Sequence, residues 1–300
     1  EVIKYLLQAV GWPGEGKLLD FSCGSGGFLV EALREKISAM DKRGISAENQ
    51  WNEARNIYGF DINPFAAHIA EMNLLFLLLD KFQEAIDQKK LNGEEHKLPD
   101  LNIFTIDALL DERETELDAK GFPIWPGERH NLAVFARDLL KYDYIAGNPP
   151  YVRNERISEQ TKEAYQNIYG DYKEGNTDIF AYFVKRGMDW LEDGGKMGLI
   201  VSQGLADSKS TSKVRRFLEA FTIEELVPLE WCEVFKFASV NPFLLVVKRE
   251  EPRKEHKIKI RQNIRNLKEL TENGGKITEV EQEKWKNLAP DGSWRLEVTA

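Results

Sequence analysis

The sequence predicts an α/β fold: a mostly parallel, seven-stranded sheet with helices on both faces. Two observations predict it. Short apolar runs alternate with amphipathic helical stretches, the pattern of crossovers that lay parallel strands side by side. In addition, four of the expected strands end at a polar side chain: Asp20, Asp61, Asp107 and Asn148. Ligands of such sheets bind beyond the carboxyl ends of the strands, so the coincidence points to a site as well as a fold.

The elements follow in order. An apolar-periodic helix over Val2–Val10 leads through Gly11-Trp12-Pro13-Gly14 into a buried strand at Lys17–Phe21, a glycine turn and a helix at Phe28–Ile37. A strand at Asn56–Phe60 ends at Asp61 and gives way to a long apolar helix, Ala66–Phe82. The third strand, Asn102–Ile106, ends at Asp107, and Tyr142–Ala146 is the fourth. An amphipathic helix, Ile179–Leu191, is closed by Asp193-Gly194-Gly195. Strands at Met197–Val201, near Glu225–Leu229 and at Phe243–Lys248, with a helix around Val214–Phe221, complete the set. Two polar, punctuated stretches, "QKKLNGEEHKLPD" and Asp111 to about Arg137, read as loops. After Glu250 the chain turns basic in "KREEPRKEHKIKIRQNIRNLK", which reads as a solvated linker rather than a nucleic-acid-facing segment.

Composition narrows the classes. With 42% hydrophobic and 30% charged residues, the 300-residue chain can bury an ordinary core and is not disordered by composition. A net charge of −9 argues against a free-standing nucleic-acid-coating protein but not against a catalytic module with local basic contacts. Cys23 and Cys232 are far apart and suggest no disulfide framework, which suits a reducing compartment. The four histidines are scattered and none pairs with a cysteine at ligand spacing, so no metal site is expected. The longest apolar run, Leu74–Leu79, is too short to span a bilayer, and no signal peptide is visible. The chain opens at Glu1 inside an apolar-periodic stretch and stops abruptly at Ala300, so it reads as a piece cut from a longer polypeptide.

The chemistry lies at the strand ends. In Asp20-Phe21-Ser22-Cys23-Gly24-Ser25-Gly26-Gly27-Phe28, glycines let the turn approach a ligand and let amides at the helix start face it. An acid before the loop would repel a pyrophosphate but suits a ligand carrying an ammonium group. Cys23 reads as a small loop residue rather than a nucleophile, since no histidine is near it in sequence. Asp61 can accept both hydroxyls of a ribose; a helix N-cap is the competing role, which Asn63 could fill instead. Asp107 could accept from the exocyclic amine of an adenine, or cap a helix. Together these describe a pocket for a cationic, ribose- and adenine-bearing cofactor, which fits S-adenosylmethionine better than NAD.

Asn148-Pro149-Pro150-Tyr151 then gains a meaning. An aromatic amine is a poor nucleophile because its lone pair is delocalised into the ring. Acceptors that hold its N–H groups while the lone pair points at the methyl donor overcome this; the Asn148 amide oxygen and the Pro149 carbonyl supply two. Pro150 fixes φ and stiffens the edge, and Tyr151 offers a face for a flat base. This is catalysis by positioning and local electrostatics.

"LLDFSCGSGGFLVEAL", "IYGFDINPFAAHIAEMNLL", "IFTIDALL" and "GNPPYVRNERI", in that order, resemble the amino-methylating DNA methyltransferases, and more narrowly the adenine-N6 enzymes of the gamma arrangement, including the Eco57I-type restriction–modification polypeptides. The match runs over about Val2 to Lys248. The resemblance implies a Rossmann-like, S-adenosylmethionine-dependent methyltransferase fold over residues 1–250, with 251–300 a linker or the start of a target-recognition region. It implies cofactor contacts at Asp20, Ser22, Gly24, Gly26, Asp61, Ile62, Asp107 and Ala108; Cys23 and Ser25 of the same loop and Asn148 are counted with them. It implies amine activation by Asn148 with the Pro149 carbonyl, and stacking by Tyr151. "WCEVFKFASVNPFLLVV" is similar to the family's later motif, which makes Phe235 the second ring around a flipped base, with Phe237 as competitor and core packing as the plain alternative. Tyr165, Tyr169, Tyr172 and Lys173, polar and aromatic without clear periodicity, are expected to order only on DNA.

The family's N-terminal cofactor motif and its large recognition domain are not visible, so double-stranded DNA would be held mainly by a region absent here, in a bacterial or archaeal cytoplasm. Rival expectations are an Asn-Pro-Pro-Tyr methyltransferase acting on RNA or on a protein glutamine, and a non-catalytic cofactor-binding or scaffolding module.

Overall fold

The computed structural model describes residues 1–87, 100–110, 135–152, 154–172, 177–230, 232, 241–272 and 274–297. The chain forms two compact units, Trp12–Tyr142 and a second made of Glu1–Gly11 with Asp143–Ala300. The first helix, α1 (Val2–Ala9), belongs to the second unit and buries Val2, Tyr5, Leu6 and Leu7 along one stripe.

The unit Trp12–Tyr142 runs β1 (Leu18–Asp20), α2 (Gly27–Lys42), α3 (Ala47–Glu53), β2 (Ile57–Asp61), α4 (Pro64–Asp87) and β3 (Asn102–Thr105). Its strands lie in the order β3-β2-β1, all parallel, with Asp20 opposite Gly59 and Asp61 opposite Thr105. Burial at every position of β1 is what a strand covered on both faces requires. A side chain at Gly59 would put its Cβ 2.6 Å from Leu29 of α2 and 2.9 Å from Ile103 of β3, so helix and neighbouring strand pack directly on the β2 backbone. On α2, the buried Lys36 donates to the Gly14 carbonyl at 3.1 Å and pairs with Glu53 at 3.2 Å, which offsets its desolvation.

The second unit continues with β4 (Tyr142–Gly147), α5 (Glu159–Tyr169), α6 (Ile179–Trp190), β5 (Leu191–Ser202), α7 (Ser212–Leu218), β6 (Thr222–Pro228), β7 (Pro242–Lys248), β8 (Lys257–Gln262) and β9 (Lys276–Glu281). Its strand order is β4-β5-β7-β6-β8-β9. Strand β7 is antiparallel to both β5 and β6, β8 joins β6 in parallel, and β9 closes the edge antiparallel to β8. Positions 242–247 of β7 are all buried, as expected for a strand inside a sheet.

The α/β class and each of the seven expected strands appear. The strand number is corrected: the described residues hold nine. Of the additional two, β8 comes from the basic stretch expected as a linker and β9 from the residues after it. There Ile258 and Ile260 are fully buried while Lys257 and Lys259 face outward, an alternation that makes a half-buried strand out of a run of charges. Another departure is α5. The segment expected to order only on DNA is a helix capped by Ser158, whose hydroxyl accepts from the Thr161 amide at 3.2 Å. Tyr165 and Tyr169 are buried in it, with ring centroids 5.4 and 5.1 Å from Tyr182 of α6. Lys173, Phe235, Phe237 and nearly all of the two expected loops lie outside the described residues.

Candidate active site

In the first unit the glycine loop is fastened from both sides by main-chain hydrogen bonds. The Cys23 amide donates to the Phe60 carbonyl at 2.9 Å, tying the end of β1 to β2, and the Gly26 amide donates to the Cys23 carbonyl at 2.8 Å. Gly24 and Gly26 have φ of 54° and 87°, in the left-handed region that a side chain resists. Their surroundings differ. A Cβ at Gly26 would stand 3.0 Å from the Ala70 backbone of α4, whereas one at Gly24 would meet nothing within 4 Å. Gly26 is therefore a packing glycine, while Gly24 leaves its side of the turn open. The Ser25 carbonyl accepts from the Asn73 side chain at 3.0 Å, which fixes the peptide between them.

Asp61 holds this loop through its carboxylate. One oxygen accepts the Gly24 amide at 2.8 Å and the other the Asn63 amide at 2.8 Å. Asn63 in turn caps α4, its side chain accepting from Phe65 and Ala66 amides at 3.0 and 3.5 Å. Of the two roles weighed for this strand end, the cap falls to Asn63. A carboxylate has about four acceptor directions, so two amides leave Asp61 capacity for a pair of ligand hydroxyls. Next to it Ile62 is 70% exposed and Phe65 73% exposed, two apolar side chains flanking an acid at a strand end.

Asp20 is 2% exposed and accepts the Ser22 amide at 3.1 Å. Burial raises its carboxyl to about 7; the Ser22 hydrogen bond opposes the rise and the charge of Asp61 adds to it. A buried acid held at the edge of ionisation has an unmet need for positive charge. The same burial, with the two carboxylates, pushes the Cys23 thiol far up, so it holds no thiolate for nucleophilic work. At the third strand end, Asp107 accepts the Leu109 and Leu110 amides at 2.8 and 3.3 Å, and Ala108 is buried behind it.

The second unit carries the Asn-Pro-Pro-Tyr strand end. Strand β4 delivers Asn148, half-buried, and Pro149, buried, just past Gly147. Tyr151 turns back so that its hydroxyl lies 2.9 Å from Asn148 Oδ1 and 3.0 Å from the carbonyl oxygen of Ile200 in β5. Desolvation raises the phenol well above its ordinary value, so it stays protonated. The Asn148 amide is therefore held by a side chain, which is itself anchored to a sheet carbonyl.

Sequence reasoning missed two participants. Phe65 carried a signal, an apolar residue on the first turn of a helix starting beside a strand-end acid. The Ile200 carbonyl carried none, because a main-chain acceptor is the same for every residue type. Among the described residues no group of three or more histidine, cysteine or acidic side chains is arranged to hold a metal ion. No described helix is long and apolar enough to cross a membrane.

Comparison with known proteins agrees with this architecture. The family described as Eco57I restriction-modification methylase matches residues 55–235, more than half of the 300-residue chain. The chain belongs to that family. The type II methyltransferase M.BstVI of Geobacillus stearothermophilus is 24% identical over 255 residues, covering 82% of this chain and 40% of that protein. The type II restriction enzyme and methyltransferase RM.Eco57I of Escherichia coli is 24% identical over 262 residues, covering 78% of this chain and 24% of that protein. The chain thus spans well under half the length of these curated relatives. A solved DrdV–DNA complex superposes with a TM-score of 0.68 at 15% identity over 100% of this chain and 31% of that one, which shows a shared fold.

Proposed function

We propose that this chain carries the catalytic framework of a site-specific DNA methyltransferase. It would move a methyl group from S-adenosylmethionine to N6 of a flipped-out adenine, within a restriction–modification system of a bacterial or archaeal cytoplasm. The observation that carries the proposal is the end of β4, where a side-chain amide is held rigidly beside a proline carbonyl and an aromatic ring. Membership of the Eco57I family supports it, and so do the names of the relatives.

The first unit fits the cofactor. The buried, raised carboxyl of Asp20 suits an ammonium, the spare acceptor directions of Asp61 suit a ribose, the two exposed apolar side chains beside it suit a flat base, and Gly24 leaves its face open to the ligand. In this reading Asp20 accepts from the ammonium group, the Ser22–Gly26 loop lines the methionine moiety, and Asp61 accepts from the ribose hydroxyls. Ile62 packs on the adenine, and Asp107 with Ala108 borders its amine edge. When bound, S-adenosylmethionine supplies a methyl carbon made electrophilic by its sulfonium.

The second unit holds the acceptor. Asn148 Oδ1 and the Pro149 carbonyl take the two N–H groups of the target amine, which turns its lone pair out of conjugation. After transfer the surplus proton stays on the methylated nitrogen, hydrogen-bonded to these oxygens, until it passes to water. Tyr151 stacks on the base, and Phe235 is the proposed ring on its other face. Double-stranded DNA would be gripped mainly by a recognition region outside this chain.

The test is transfer of labelled methyl groups by the full-length protein to double-stranded DNA, RNA and protein glutamine. Label in N6-methyladenine of DNA is the expected result. Label confined to RNA or to glutamine would replace the substrate, and cofactor binding without transfer to any of them would favour a non-catalytic module.

A further inference from the structure

Two sets of cations in the second unit differ in what faces them. In the basic run after Glu250, Lys257 and Lys259 of β8 stand opposite Glu281 and Glu279 of β9, cross-strand acids that offset their charge. Lys209, Lys213 and Arg216 lack such partners: among the described residues none of the three forms an ion pair. Lys209 opens a short 3-10 turn, Lys209–Thr211, and Lys213 and Arg216 lie on α7, which continues it. Spacings of four and three residues put all three on one side. The other side, Thr211, Val214, Arg215 and Leu218, is buried, whereas Lys213 is half-buried and Lys209 and Arg216 are exposed. Of the acids nearby, Asp207, Glu219 and Asp291 bear on the buried Arg215. Glu219 bears on Arg216 as well, but its carboxylate also accepts the Trp294 indole N–H at 2.8 Å.

The cationic side adjoins the acceptor site. Strand β5 ends at Ser202, two residues beyond the Ile200 carbonyl that accepts from Tyr151, and the chain passes by way of Gly204–Asp207 into this turn. The Ser210 carbonyl accepts the Thr177 hydroxyl at 2.9 Å. Two residues after Thr177, the Ile179 amide donates to the Val152 carbonyl at 3.2 Å, next to Tyr151. Phe217 of α7 also packs edge-on against Tyr172, with ring centroids 5.2 Å apart.

We propose that Lys209, Lys213 and Arg216 form a phosphate-gripping face that holds the DNA backbone beside the flipped adenine. The proposal rests on the DNA reading and deepens it, adding a contact within this chain to the grip assigned to the recognition region. From Lys209 to Arg216 the helical rise is about 10 Å, the rise of about three phosphates along one strand. Phosphate contacts carry no sequence information, so this face supplies affinity and register rather than recognition.

The salt dependence of DNA binding by the full-length protein tests it. Each phosphate contact contributes about 0.9 to the slope of log affinity against log salt, so Lys209→Gln, Lys213→Gln and Arg216→Gln together should flatten that slope by about 2.7. The loss should be alike for duplexes with and without the recognised sequence. Affinity for S-adenosylmethionine and kcat at saturating DNA should stay within about twofold. The paired control, Lys257→Gln with Lys259→Gln, should leave the slope unchanged. An unchanged slope in the triple variant would overturn the proposal. So would an equal flattening per charge in the control, which would mark a net-charge effect, or a loss seen with RNA and not with DNA. Binding is read without methyl transfer, so the two readings fail separately. A flattened slope in a protein that transfers no methyl group to DNA upholds this face and removes the adenine reading. Methylation of DNA with an unchanged slope does the reverse.

Discussion

Asp61 and Asn148 both stand at the carboxyl end of a strand, and each is already hydrogen-bonded to the protein, but by different means. The two oxygens of Asp61 are held by the amides of Gly24 and Asn63, main-chain groups that no substitution of a neighbour removes. The amide of Asn148 meets a phenol, a side chain that one substitution deletes. A charged group with four acceptor directions can serve structure and ligand together. A single amide oxygen has less to share, so its orientation must be set from outside. The strand end in the first unit is thus held by its backbone, and that in the second by a side-chain contact.

Asn148→Ala should produce the largest effect. In the proposed chemistry it removes a hydrogen-bond acceptor from the reacting amine, and loss of one such preorganised group typically costs about 100- to 1,000-fold in kcat. Cofactor affinity should stay within a few-fold. A transfer assay beside a cofactor-binding titration checks the split; near-normal transfer would remove Asn148 from the chemistry.

Asp20→Asn probes the backbone-built side of the comparison and should give opposite signs for binding and stability. Loss of a charge-assisted contact should weaken S-adenosylmethionine binding about 10- to 100-fold. The stability argument follows from a folded-state carboxyl raised from 3.8 to about 7 by burial. Between those values the folded protein keeps a proton that the unfolded chain has released. The stability linked to Asp20 is therefore complete below about pH 4 and lost as pH rises through 7. The variant should be more stable than wild type at pH 8, by on the order of 1–3 kcal/mol, and the difference should close at pH 4. Wild-type affinity for the cationic cofactor should fall as pH drops below 7, approaching tenfold per unit. Denaturant midpoints and calorimetric titrations at several pH values measure both.

The two glycines of the loop sharpen the contrast between packing and access. Gly26→Ala places a Cβ 3.0 Å from the α4 backbone at a positive φ, and should cost about 2 kcal/mol of stability. Gly24→Ala meets open space and pays only for its left-handed backbone, about 1 kcal/mol. Its larger effect should fall on cofactor affinity, because the new methyl group points into the face left clear for a ligand. Equal affinities for the two variants would remove that face from the site.

Legibility followed the same division. The strand-end acids and the Asn-Pro-Pro-Tyr turn could be read because parallel strands put chemistry at their carboxyl ends, and prolines and glycines mark where those ends fall. Strand β8 was hidden by its own exposed face: Lys257 and Lys259 dominate the composition while Ile258 and Ile260 are its only buried apolar side chains. Helix α5 was hidden because its buried positions are tyrosines, which read as polar surface until Tyr182 of α6 supplies the ring they pack on. The hydrogen bond from Tyr151 to Ile200 depends on a main-chain carbonyl brought up by another strand, which a linear sequence does not mark.

Helix α5 provides the smallest and most local test of a unit that leans on side chains. It has eleven residues, a length at which an isolated helix is marginal in water, so tertiary contacts must account for its order. Those contacts are Tyr165 and Tyr169 against Tyr182, with Ser158 closing the amino end on the Thr161 amide. Order supplied by packing within the protein does not wait for DNA. Amide exchange over residues 159–169 should therefore be slowed in the protein alone and change little when DNA is added. Ser158→Ala should speed it about fivefold, the equivalent of about 1 kcal/mol for a lost cap, and leave α6 unaffected. Full exchange at the random-coil rate without DNA, followed by protection on binding, would return this segment to the induced order that its polar sequence suggests.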